Sequence, residues 1–127
     1  MKEPKYRRVT ITEAAEGEDK FIRHSGGRGQ YGHVVVRIEP NARGNGIEVI
    51  SEILGGAIPE EYIEPVTDAV RDALHGGVVP GCRVVDVVVR VVGGSSHQTD
   101  SSEIAFKMAA IFALKDAMKR TDLVVIE

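Results

Sequence analysis

The chain has no tryptophan, three phenylalanines, three tyrosines and one cysteine in 127 residues, and these shortages narrow the field before any motif is read. With aromatics at 5%, a core has to be assembled from Val, Ile, Leu and Ala. The lone Cys82 cannot form an internal disulfide; beside a Val-rich stretch and with no triad-like His or Asp near it, it reads as an inert structural thiol rather than a nucleophile. No run approaches the ~18 apolar residues of a membrane-crossing helix. Met1-Lys2-Glu3-Pro4-Lys5 lacks the apolar stretch of a signal sequence, so the chain is expected to be soluble and cytoplasmic. What is present, 43% hydrophobic and 28% charged residues, suits one globular domain spanning residues 1–127.

The net charge of -3 argues at first against a nucleic-acid partner, but the charges are unevenly spread. Residues 20–43 hold Lys20, Arg23, Arg28, Arg37 and Arg43 against Glu39 alone, a local balance of +4. That excess suits phosphate contact, or equally a scatter of strand arginines on a solvated face. Within it lies Ser25-Gly26-Gly27-Arg28-Gly29-Gln30-Tyr31-Gly32-His33, where four glycines alternate with arginine and glutamine. The stretch reads as a loop that packing does not require and that lets the backbone approach something large, with Arg28 and Gln30 supplying polar reach. A glycine-rich hairpin turn with no function is the plainer alternative.

The same residues contain Gly27-x-Gly29-x-x-Gly32, with Glu52 at about the spacing of a dinucleotide-binding fingerprint. That motif works only where a helix follows and offers its N-terminus to the pyrophosphate. Here Val34, Val36 and Ile38 recur at period two, which predicts a strand. A P-loop is excluded as well, because no Gly-Lys-Ser/Thr follows the glycines.

Alternation predicts strands over 8–14, 20–24, 33–39 and 47–53, with a turn at 40–46. Tyr62, Val66, Ala69, Val70, Ala73 and Leu74 recur at helical spacing. Since Pro65 is tolerable in a first turn, the helix is placed over 63–75 with 59–62 as its lead-in, and His75-Gly76 as its end. Residues 84–92 form the most apolar strand, expected to be central and covered on both faces. A second helix starts from the capping-box spacing of Asp100-Ser101-Ser102-Glu103, with Ile104, Met108, Ile111, Phe112, Met118 and five alanines as its apolar face. Residues 123–126 close the sheet. The expected fold class is α+β, a two-layer sandwich of a mixed β-sheet and two helices.

A second polar loop, Gly93-Gly94-Ser95-Ser96-His97-Gln98-Thr99, joins the apolar strand to the second helix. His97 has no apolar neighbour to bury it, unlike His33, a strand residue, and His75, a helix-end residue. His97 with Ser95, Ser101 or Asp100 is too compact in sequence to form a nucleophilic triad, and no Gly-x-Ser-x-Gly elbow is present. One His beside Gln and Thr lacks the companions of a metal site.

Three separated motifs in order resemble the fourth domain of elongation factor G, the ribosomal translocase GTPase. They are Lys20-Phe21-Ile22-Arg23-His24-Ser25-Gly26-Gly27-Arg28-Gly29-Gln30-Tyr31-Gly32-His33-Val34, then Gly55-Gly56-Ala57-Ile58-Pro59-Glu60-Glu61-Tyr62-Ile63, and His97-Gln98-Thr99-Asp100-Ser101-Ser102-Glu103-Ile104-Ala105-Phe106-Lys107. The resemblance runs from about Tyr6 to Glu127. It implies a fold like the second domain of ribosomal protein S5, with an unusual left-handed βαβ crossover. It also implies a tip domain that enters the decoding region of the small ribosomal subunit, with tRNA and mRNA as partners. Two tip loops would make those contacts: Ser25, Gly26, Gly27, Arg28, Gly29, Gln30, Tyr31 and Gly32 in one, and Ser95, Ser96, His97 and Gln98 in the other, with His97 in the tip-histidine position. GTP and Mg would be held by a separate GTPase domain of the parent factor, so this chain is expected to be no enzyme, to hold no cofactor or metal, and to be an excised fragment.

The sequence departs from the family pattern in one place. Ser96 stands where a Tyr commonly precedes the tip histidine, and Gln98-Thr99 replaces a more usual Glu-Val or similar pair. That leaves open a divergent paralogue acting in ribosome recycling or protection, alongside a phosphate-binding enzyme domain of S5-like fold.

Overall fold

A computed structural model describes residues 7–25 and 28–126. Chain order is β1 (Arg7–Ile11), β2 (Ala15–Ser25), β3 (Arg28–Pro40), β4 (Ile47–Ser51), α1 (Glu60–Asp72), β5 (Cys82–Val84), β6 (Val87–Ser95), α2 (Glu103–Met118) and β7 (Leu123–Val125). The α+β class holds, and the strands divide between two sheets. One runs β2-β3-β6-β4, antiparallel except for the parallel β4–β6 edge; the other runs β5-β1-β7. Both helices pack on one face of the larger sheet.

The core is aliphatic, as the shortage of aromatics requires. Val34, Val36 and Ile38 from β3 and Val87, Val89 and Val91 from β6 meet Val66, Val70, Leu74, Phe106, Leu114 and a row of α2 alanines. Those alanines let the helix settle onto the sheet. Gly17 of β2 makes the fit closer still, for a Cβ there would overlap the Ala113 carbonyl oxygen and the Ala117 nitrogen.

Four local expectations are corrected. Residues 84–92 are not one strand: Asp86 turns the chain at φ 57, sending Val84 into the small sheet and Val87 into the large one. β6 is fully covered on its helix side and only in part on the other, where Val88 is buried but Arg90 belongs to an ion ladder, Glu16–Arg37–Glu39–Arg90–Glu52. α1 begins at Glu60, so Pro65 lies in its second turn; the hydrogen bond it forgoes leaves the carbonyl of exposed Glu61 facing water. Its end passes through a π-type turn over Ala73–Gly77, where Gly76 takes φ 114. Finally, Ile104 is 58% exposed, while Ala105 and Phe106 take the buried positions on α2.

Asp86 is held in place by the loop it supports. Its Oδ1 accepts from the Gly46 amide at 2.9 Å, and its backbone carbonyl accepts from Thr10 Oγ1. Hydrogen bonds from the Gly46 and Gly44 amides hold this carboxyl below the ordinary carboxylate value.

Candidate nucleic-acid interface

β3 pairs with β6 only from His33 to Pro40, whereas its pairing with β2 continues through Arg28. Five residue pairs, Phe21–Gly32 through Ser25–Arg28, therefore stand beyond the end of β6 as a two-stranded arm, roughly 17 Å long at strand rise. The glycine stretch is thus mostly strand rather than loop. Arg28, Gly29, Gln30, Tyr31 and Gly32 belong to β3, and Ser25 ends β2. Gly26 and Gly27 lie outside the described residues.

Packing also explains one of these glycines, Gly32, against expectation, whereas Gly29 faces only the movable ends of side chains. A Cβ on Gly32 would come within 2.5 Å of the Ala105 carbonyl carbon in α2, and one on Gly29 within 2.6 Å of Asp100 Oδ2. These residues bring the arm, from Gly32 at its root to Gly29 near its end, against the start of α2 and the segment leading into it. The contact is completed from the other side, where the Tyr31 amide donates to the Asp100 carbonyl at 2.9 Å and Tyr31 bridges to Ser101.

The second candidate segment is brought beside the first. Ser95 is the last residue of β6, opposite His33, rather than part of the loop. Ser96, His97 and Gln98 follow it and are exposed. The loop is folded around His97. The His97 amide donates to Ser101 Oγ at 2.7 Å, and the amides of Thr99 and Asp100 each donate to His97 Nδ1 at 3.3 Å. Because Nδ1 accepts, the neutral ring carries its proton on Nε2, and the half-exposed imidazole presents an N–H donor. Tyr31 lies beside it, ring centroids 6.0 Å apart.

A chain of side chains runs under both segments. Tyr31 O–H and Ser95 Oγ are 2.7 Å apart, Ser95 Oγ and His33 Nδ1 are 2.7 Å apart, and His33 Nε2 lies 2.5 Å from Glu18 Oε2. With neutral His33 the donors run one way, from Tyr31 to Ser95 to Nδ1, and from Nε2–H to the carboxylate. Ser, His and Glu in sequence suggest a nucleophilic relay, but the Ser95 hydroxyl is tied on both sides by Tyr31 and His33. The arrangement fixes the strand ends relative to each other. Sequence reasoning set His33 aside as a strand residue and missed Glu18. The polar run Tyr31, His33 on one face of β3 was the available signal.

The basic excess of residues 20–43 does not form one patch. Arg23 lies 4.2 Å over the Phe21 ring on the arm, which in turn stacks on Phe112. Arg37 is held by Glu39 at 2.9 Å in the ion ladder, and Arg43 follows the opposite end of β3. On the arm itself the basic residues are Arg23 of β2 and Arg28, the first residue of β3.

The comparisons with known proteins fit this geometry. Residues 6–122 match the family model described as elongation factor G, domain IV. The chain is 51% identical over 118 residues to elongation factor G of Aquifex pyrophilus, covering 93% of this chain and 17% of that protein. A crystal structure from Thermus thermophilus superimposes with a TM-score of 0.85 at 37% identity, covering 96% of this chain and 18% of that one.

Proposed function

Since the chain belongs to the family of elongation factor G domain IV, we propose that it is the tip domain of a ribosomal translocase. In this reading the arm and the His97 loop contact the tRNA–mRNA pair in the decoding region of the small subunit during movement from the A to the P site. The observation that carries it is the joining of two separate segments, 28–32 and 95–98, into one projecting surface, tied by Tyr31, Ser95 and Ser101.

The chemistry suits RNA. A paired RNA offers its wide, shallow minor groove and phosphate backbone to a probe of this kind. The Nε2–H of His97 offers a donor to acceptor-rich RNA, Arg28 begins β3 at the end of the arm, and Gln30 offers both donor and acceptor. The role is steric and mechanical: a rigid α+β body holds the tip, and its occupancy of the vacated site opposes backward movement of tRNA. GTP and Mg belong to a different domain of the parent factor, and this chain catalyses nothing. Ser96 and the Gln98-Thr99 pair keep a recycling or protection paralogue as the second reading, which translocation kinetics separates from the first.

In the full-length factor, Arg28→Ala and His97→Ala should each slow translocation in a fast-kinetic assay, while ribosome-stimulated GTP hydrolysis persists. Normal translocation by both folded variants overturns the assignment of these residues. A wild-type factor that splits post-termination ribosomes but does not translocate supports the paralogue.

A further inference from the structure

We propose that the outer edge of β4, with the cleft between it and α1, is a docking groove for an extended polypeptide whose cleft-facing side chains, at every second position, include both apolar and basic residues. Among the described residues β4 is the edge of the four-stranded sheet, with β6 on its inner side only. The ladder sets which backbone groups are free. The Glu52 amide donates to the Val91 carbonyl, and the Val87 amide donates to the Gly46 carbonyl. In a parallel pair this turns the even-numbered residues of β4 toward β6 and the N–H and C=O groups of Ile47, Val49 and Ser51 outward. An incoming strand would meet three residues of unpaired main chain.

Side chains of the same residues face the helix layer. Val49 and Ser51 line a cleft of about 760 Å³ with Ile53, Ile58, Ile63 and Thr67, so an added strand would send alternate side chains into it. Leu54, 86% exposed, stands just past the end of β4.

Charge selects the occupant. Exposed Glu60 and Glu64, one turn apart on α1, also line the cleft, and the cation there, Arg71, is engaged by Asp68 at 3.0 Å. The groove therefore offers an apolar floor and two carboxylates with no ion-pair partner among the described residues, which favours Lys or Arg next to aliphatic residues and opposes acidic segments.

The test uses a short, capped peptide with valine and lysine in turn at every second position and threonine between them, so that both kinds of side chain face the cleft, followed by NMR on the isotope-labelled chain. Binding should move the Ile47, Val49 and Ser51 amides downfield and slow their hydrogen exchange. A matched peptide with glutamate for lysine should bind at least about tenfold more weakly. Ser51→Pro removes an outward N–H without touching the β6 ladder, so it should weaken binding by about tenfold or more with the fold retained. Glu60→Gln with Glu64→Gln should weaken the lysine peptide and flatten its salt dependence. The proposal is overturned by perturbations confined to the arm, by equal binding of both peptides, by unchanged binding to Ser51→Pro, or by no binding. Self-association of the free chain through β4, seen by sedimentation, would also overturn it by making a second copy the occupant.

Discussion

Gly32 shows how packing sets the identity of a residue in the candidate site. Its missing side chain allows β3 to touch the backbone of α2 at Ala105 and Phe106, and this contact seats the arm on the body. Gly32→Ala forces backbone apart rather than a flexible side chain, so it should cost about 1–3 kcal/mol in a denaturation experiment. His97→Ala removes a half-exposed ring and the two long, exposed amide hydrogen bonds it accepts, so it should cost less, under about 1 kcal/mol. If the two variants melt alike, the packing account of Gly32 is wrong.

At the scale of the element, the start of α2 shows local and tertiary preferences competing. Asp100 stands at capping-box spacing from Glu103, yet the helix is capped by Ser102, whose side chain accepts from the Ala105 amide at 3.2 Å. Asp100 and Ser101 are drawn out of the helix by Tyr31: the Asp100 carbonyl receives the Tyr31 amide, and Ser101 bridges to the same residue. Ser102→Ala should therefore cost about 1 kcal/mol through loss of the cap. Asp100→Ala should cost less than half of that, as measured by paired thermal melts. The reverse order would restore Asp100 as the cap.

For the whole molecule, the proposed function makes charge the measure of how strongly the isolated chain should bind RNA. The body is acidic overall at -3, and Arg37 and Arg90 are locked into the ion ladder on the sheet face. The cations placed to meet phosphate at the tip are the few on the arm. Binding of the isolated chain to a short RNA duplex should therefore be weak, with a Kd near about 10⁻⁴ M, and should weaken steeply with added salt. Tight binding that ignores salt would show that a surface other than the arm is at work. Affinity of this order is what the proposed role requires, since a domain tethered in a larger factor gains effective concentration.

The aliphatic core, the alternating strand β3 that follows the glycines, and the two helices were legible in the sequence, because each depends on periodicity within a short window. The glycine-rich stretch and the His97 loop could be singled out for the same reason, by local composition. The sequence did not reveal that the glycine stretch is a strand, that Asp86 divides one apolar run between two sheets, or that Ser102 rather than Asp100 caps α2. Nor did it show that Glu18, His33, Ser95 and Tyr31 join two segments far apart in the chain. Those outcomes rest on contacts between residues tens of positions apart, such as Gly32 on Ala105 and Tyr31 on Asp100. Local pattern determines what a segment can form, and the partner it packs against determines which of those forms it takes.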